Sequence, residues 1–325
     1  MGIPSLTSLI TPALNSRISE IREQLSTTSQ EAVTGRHSDV TKHLDGQVGK
    51  AMLSHKMVEG IALQRQTLAL RETRLDMTQV SLERVQTATS ALGAQMQAAI
   101  GRGDVASLEL AGRDAEAALE QIFSALNVRH GDRYLFAGDA TSTPPLASPD
   151  VMLDQIRTIA QASPDTATYG AALDTYFNDP LGDWQTTIYS GTATSSDPDA
   201  VVAIDPAITK LIAGLATLAL TKKGENIAIF DLESPALQQS ALNISSAETA
   251  LVNLRGDRGV NQEQIAQDIS ALAQEELILT DLFNSLTARD QYEAATELKD
   301  LEASLEASYV LTSRLSDMSL LNYLR

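Results

Sequence analysis

Apolar residues recur at helical spacing along most of this chain. Ile61, Leu68, Leu75 and Leu82 fall every seven residues, and Val85, Leu92 and Ala99 continue on the adjacent seam. A second line, Leu63, Leu70 and Met77, widens the stripe beyond a two-stranded seam. The spacing predicts a helix over residues 50–100, about 75 Å long at 1.5 Å per residue. Gly101-Arg102-Gly103 ends it, and Asp104 is placed to cap a further helix reaching Asn127. Upstream, Leu14, Ile18, Ile21 and Leu25 share one helical face, stopped by Gly35. Downstream, Ile265, Ile269, Leu272, Leu279, Phe283 and Leu286 form a stripe broken at Glu276. Leu298, Leu301 and Leu305 form another, which resumes after a phase shift as Leu311, Leu315, Met318 and Leu321.

Proline marks where this pattern stops. Apart from Pro4 and Pro12, every proline lies between Pro144 and Pro235. A proline inside a helix costs about 3 kcal/mol, so two long proline-free arms flank an irregular middle. No Phe, Tyr or Trp precedes Phe123, which suits a long bundle built from Leu, Ile, Met and Ala. Within the middle, residues 185–190 and 201–204 read as short strands, and Asp205 to Leu220 returns to helical spacing. The expected fold is therefore mainly α. The chain ends form a long antiparallel bundle or coiled coil, and a small α+β insert sits between the arms. The expected division is 1–38 with 288–325 as terminal helices, 39–138 with 236–287 as a bundle carrying a short β-hairpin, and 139–235 as the insert.

Charge refines this picture. The formal net charge is −18. Residues 1–130 carry 13 basic and 14 acidic side chains, residues 131–235 carry 5 and 14, and residues 236–325 carry 6 and 14. The middle thus reads as a solvated, outward-facing module. So acidic a chain has no basic face for nucleic acid or for an anionic membrane. Met1-Gly2-Ile3-Pro4-Ser5-Leu6-Thr7 has neither the basic start nor the apolar run of a signal peptide, so export is expected to use a route without cleavage.

Candidate chemistry is sparse. The chain has no cysteine, and His37, His43, His55 and His130 form no HExxH-type ligand pair. Surface or core histidine is the expected reading. Gly46, Gly49 and Gly60 read as close-packing or flexible points near a helix start, not as a phosphate cradle. Among 42 acidic residues, pairs such as Glu275–Glu276 and Asp197–Asp199 arise by chance. Arg255-Gly256-Asp257 reads as a turn, and Asn243-Ile244-Ser245 as part of a helix. No catalytic constellation, metal site or cofactor is expected.

Three stretches together carry a family resemblance. The first runs from Leu25 to Ala32-Val33-Thr34-Gly35-Arg36, a helix closed by a Thr-Gly-basic stop. It continues as His37-Ser38-Asp39-Val40, where the family usually has an acidic, proline-containing segment. The second is Gly131-Asp132-Arg133-Tyr134-Leu135-Phe136-Ala137-Gly138 followed by Pro144-Pro145-Leu146, which reads as a strand between glycine turns with Tyr134 and Phe136 on one face. The third comprises Tyr292 to Thr296, Leu305 to Tyr309 and the ending Ser319-Leu320-Leu321-Asn322-Tyr323-Leu324. Together they resemble the flagellin superfamily, and within it the hook-associated proteins of the hook–filament junction.

That resemblance implies a structural, extracellular part of the bacterial flagellum, exported by the flagellar type III route. The terminal helices would line an inner tube and become ordered on assembly. Leu14, Ile18, Ile21, Leu25, Leu298, Leu301, Leu305, Leu311, Leu315, Met318 and Leu321 are the expected assembly interface. The expected partners are a hook-side associated protein, flagellin and copies of the chain itself, with an export chaperone as a further candidate. Filament flagellin is the nearest alternative. A cytosolic coiled-coil scaffold or signalling protein would share the heptads but not the segment at 131–138.

Overall fold

The chain folds mainly into α-helix. The computed structural model describes residues 6–323, apart from Asp45, Lys223 and Asn226, and the side chains of residues 13–314. Contacts divide the chain into two units, Met1–Arg65 with Ala271–Arg325, and Gln66–Ser270.

In the first unit, α1 (Leu6–Thr34) ends at Gly35, whose φ of 66° terminates it in the left-handed region. A five-residue α2 (Val40–Leu44) follows, and α3 (Val48–Thr89) begins here. The unit also holds the last part of α9 (Pro235–Thr287) and all of α10 (Gln291–Tyr323). α1 packs antiparallel along α10, as the sequence predicts for the chain ends. Glu276, which interrupts the apolar stripe of α9, forms an ion pair with Arg65 of α3. The break in the stripe is therefore a polar contact between the two helices and not a loss of the face.

In the second unit the predicted heptad seam is buried: Leu68 is 9% exposed, Leu75 2%, Leu82 0% and Val85 0%. The wider stripe is not, since Leu63 in the first unit and Leu70 in the second remain mostly exposed. The predicted single helix is interrupted after Thr89 and restarts as α4 (Leu92–Arg102). Thr89 and Ser90 turn their hydroxyls back onto carbonyls of the preceding turn, at Val85 and Thr87, a competition that bends helices. Asp104 caps α5 (Val105–Leu126) by accepting from the Ser107 amide at 3.1 Å, as expected.

The middle of the chain is more helical than its sequence suggests. A two-stranded hairpin pairs β1 (Arg129–His130) with β2 (Arg133–Tyr134). α6 (Pro149–Ala162), α7 (Thr166–Asn178) and α8 (Pro206–Ala219) follow. Of residues 185–190, read as a strand, 185–188 instead belong to a π-helical turn at Trp184–Ile188, closed by the Tyr189 amide on the Trp184 carbonyl at 2.7 Å, and Tyr189 makes only an isolated bridge to Leu146. Trp184 and Ile188, about one turn apart, are both fully buried. Residues 201–204 form no strand: the Ala203 amide donates to the Phe136 carbonyl at 3.0 Å, and the chain turns at once, with the Asp205 amide on the Val202 carbonyl at 3.0 Å. α8 is apolar nearly all round and is enclosed by its neighbours. A Cβ on Gly112 of α5 would lie 2.9 Å from the Leu218 carbonyl and the Lys222 amide, so this glycine permits the close α5–α8 approach. One core runs through α3, α4, α5, the middle segment and α9.

Candidate assembly interface

The predicted interface residues fall on α1 and α10. Along α1, Ile18 and Ile21 are 8% and 4% exposed, while Leu14 and Leu25 are half-buried. Along α10, Leu298, Leu301 and Leu305 are half-buried, and Ala294 is fully buried. Arg22 donates to the Tyr309 hydroxyl at 3.0 Å and lies over its ring, 5.7 Å from the centroid. Ile18 and Ile21 are thus already covered within the chain by the α1–α10 pair. Leu311 is 53% exposed, so the α1–α10 pair does not cover it. The side chains of Leu315, Met318 and Leu321 lie outside the described residues. Val33, Leu277, Ile278, Tyr292 and Val310 are further exposed apolar side chains of the same unit, and sequence reasoning did not single them out.

Two turns of chain meet where α1 ends and α10 begins. The His37 amide donates to the Thr287 carbonyl at 3.1 Å, and the Arg289 amide donates to the Gly35 carbonyl at 2.9 Å. Arg36 and Ala288 form an isolated bridge there. Glu31, nearly buried, pairs with Arg289 and accepts from the Ser38 amide at 2.8 Å. Burial works against its charge, but the Ser38 amide and Arg289 outweigh it and hold the carboxyl below its usual range. Asp290 caps α10 by accepting from the Tyr292 amide at 2.8 Å.

The segment at 131–138 sits in the second unit and differs in detail from its sequence reading. The strand stops at Tyr134, so Tyr134 and Phe136 do not share a face. Tyr134 lies under Arg129, 5.3 Å from ring centroid to guanidinium carbon, and Phe136 is fully buried. Gly138 has a φ of 62°, and a Cβ there would lie 2.4 Å from the Thr192 carbonyl. Next to it, Asp139 accepts from the Ser196 amide and hydroxyl, both at 2.8 Å. Gly138→Ala is expected to lower stability by about 1–3 kcal/mol from strain at positive φ, with the clash adding to it. Thermal unfolding followed by circular dichroism would check this, an unchanged midpoint being the contrary result.

Other sequence candidates resolve into structural contacts. Asp197 and Asp199, read as a chance pair, bind Arg74 at 3.0 Å and Arg71 at 2.5 Å. Asn261 donates to Asp199 at 3.1 Å, so α3 and α9 both hold the loop that carries these carboxylates. Arg255-Gly256-Asp257 is not a turn but lies within α9, where Arg255 reaches Gln86 and Glu83 of α3. A Cβ on Gly49 or Gly60 would meet nothing within 4 Å, so neither is a close-packing point. A cavity of about 350 Å³ lies between α7, α8 and α9. The Tyr169 hydroxyl at its wall bonds Thr217 at 2.9 Å, and burial raises the Tyr169 phenol. Among the described residues, no three His, Asp or Glu side chains are grouped to hold a metal ion, and no helix is long and apolar enough to cross a membrane.

Known proteins were then compared with the chain. No curated protein matches it. Among solved structures it is similar to the crystal structure of Bacillus cereus FlgL, at 13% identity and a TM-score of 0.37, over 74% of this chain and 97% of that one. Residues 242–324, which take in most of α9 and the whole of α10, match the family of bacterial flagellin C-terminal helical regions. Residues 242–324 are thus similar to a bacterial flagellin C-terminal helical region.

Proposed function

We propose that this chain is a structural adapter of the bacterial flagellum, joining a hook-side associated protein to the first layer of flagellin. The observation that carries the flagellar role is the flagellin-type C-terminal region, whose last helix pairs with α1. The junction role is favoured over filament flagellin by the segment at 131–138 and by the ending Ser319-Leu320-Leu321-Asn322-Tyr323-Leu324, both of which resemble junction proteins. In this reading the α1–α10 pair lines the inner tube. Subunits repeat head to tail in a helical, heterologous packing, and the middle segment projects outward. Val33, Leu277, Ile278, Val310 and Leu311 leave apolar surface for neighbouring subunits to cover. Burying such a side chain contributes about 1.5–3 kcal/mol, which offsets the entropy of ordering the arms on assembly.

Deleting the gene, imaging the cells and assaying the medium for flagellin tests the reading. Bare hooks with flagellin lost to the medium are the expected result. Unchanged filaments would overturn the junction role, and long filaments grown from the purified protein would favour a filament flagellin.

A further inference from the structure

The turn joining α1 to α2 brings two histidines face to face. His37 and His43 stack with ring centroids 3.6 Å apart and an angle of 16° between planes. His37 is half-buried, and exposed His43 covers it. The same turn carries the backbone bonds that clasp residues 35–37 to Thr287 and Arg289. We propose that the His37–His43 stack is an acid-opened latch, closed on the start of α10 at neutral pH and released when His37 becomes protonated.

The charged groups around the stack decide the sign. Glu31 faces His37 from α1, His43 from α2, Arg289 from the turn before α10, and Glu293 from α10. Asp39 caps α2 through the Lys42 amide, and Glu297 is bound to Arg289. Protonation of His37 therefore adds a positive charge between a second imidazole and a guanidinium. Glu31 opposes this in part but does not outweigh burial and His43. Its two oxygens already accept from Ser38 and Arg289, and it lies 4.0 Å from His37 Nδ1, beyond hydrogen-bond distance. Burial, His43 and Arg289 lower the His37 imidazole below its usual value of 6.5, against the opposite pull of Glu31 and Glu293.

A histidine lowered by folding contributes stability that is fully present above its unfolded value and is lost as pH falls through 6.5 towards the folded value. Glu31 is lowered as well, so its contribution persists through that window and is lost only in stronger acid. Between neutrality and mild acid, protonation of His37 changes the charge of the clasp while Glu31 keeps its own. The latch is a property of the chain itself and holds whether or not the chain serves at the hook–filament junction.

Hydrogen exchange read by mass spectrometry on the full chain tests the latch. After correction for intrinsic rates, peptides covering 31–43 and 287–293 should exchange faster at pH 5.5 than at pH 7.5, because a histidine lowered by folding weakens the closed form as it takes up a proton. The double variant His37→Gln, His43→Phe keeps a flat stacking group and removes both titrating rings, and its protection should not change between the two values. Equal protection of the unmodified chain at both pH values would overturn the proposal, as would an equal loss in the double variant. Histidine NMR on the unmodified chain is the second measurement: His37 should titrate below 6.5, and a midpoint at or above 6.5 would also overturn the proposal.

Discussion

Trp184→Ala is expected to lower the unfolding free energy by about 3–5 kcal/mol, the range for removing a fully buried large ring. Trp184 is 0% exposed and sits between two other rings. It meets Phe123 edge-on at 6.2 Å and Phe177 at a tilt at 5.1 Å. Alanine would leave a void lined by Phe123 and Phe177, whose lost packing adds to the lost transfer energy. Its indole N–H has no hydrogen-bond partner, so Trp184→Phe should cost less than alanine and release a buried unsatisfied donor. Urea unfolding followed by circular dichroism is the right measurement, because this is the chain's single tryptophan. Equal losses in the two variants would show that the ring volume does not hold this region together.

Ile21→Asp should separate α1 from α10 and abolish attachment of filaments. Ile21 is 4% exposed, within the α1 face that packs on α10. Replacing it removes a buried aliphatic worth about 1.5–3 kcal/mol and places a carboxylate in apolar surroundings at about 2 kcal/mol or more. The sum exceeds about 3 kcal/mol, over a hundredfold in the paired population. Ser26→Asp is the control on the same helix, since Ser26 is exposed, lies outside the apolar surface and its change should leave the fold intact. Electron microscopy of cells carrying each variant would report attached filaments. Filaments on the Ile21→Asp cells at the normal number would show that the pairing of α1 with α10 is dispensable.

Local pattern carried much of the fold. The seam of Leu68, Leu75 and Leu82, the cap at Asp104 and the stop at Gly35 all depend on residues within a few turns of each other. Periodicity and capping chemistry express these features directly. The flagellin-type C-terminal region was legible for the same reason, because its signature is contiguous. The middle segment was less legible. Ile188 and Tyr189 have the residue types of a strand, yet the backbone wraps into a π turn there, closed by the Tyr189 amide on the Trp184 carbonyl, with Trp184 and Ile188 both buried. Of the residues expected at an assembly interface, Ile18 and Ile21 are buried within the chain, on the apolar face that their spacing predicts, whereas the exposure of Leu311 depends on how α10 presents its phase-shifted turn.

By itself, the sequence determined that this chain builds long amphipathic helices at both ends and joins them through a proline-punctuated middle. Hydrophobic period and proline placement act locally, and every residue needed to read them lies nearby in the chain. Only the tertiary structure decided that Asp199 binds Arg71, that Glu276 binds Arg65, and that His37 stacks on His43 beside Arg289. The first two join residues more than a hundred positions apart, and the stack turns on the path of a short loop. Such pairs form because particular helices cross and particular turns meet, and no local spacing records which ones will.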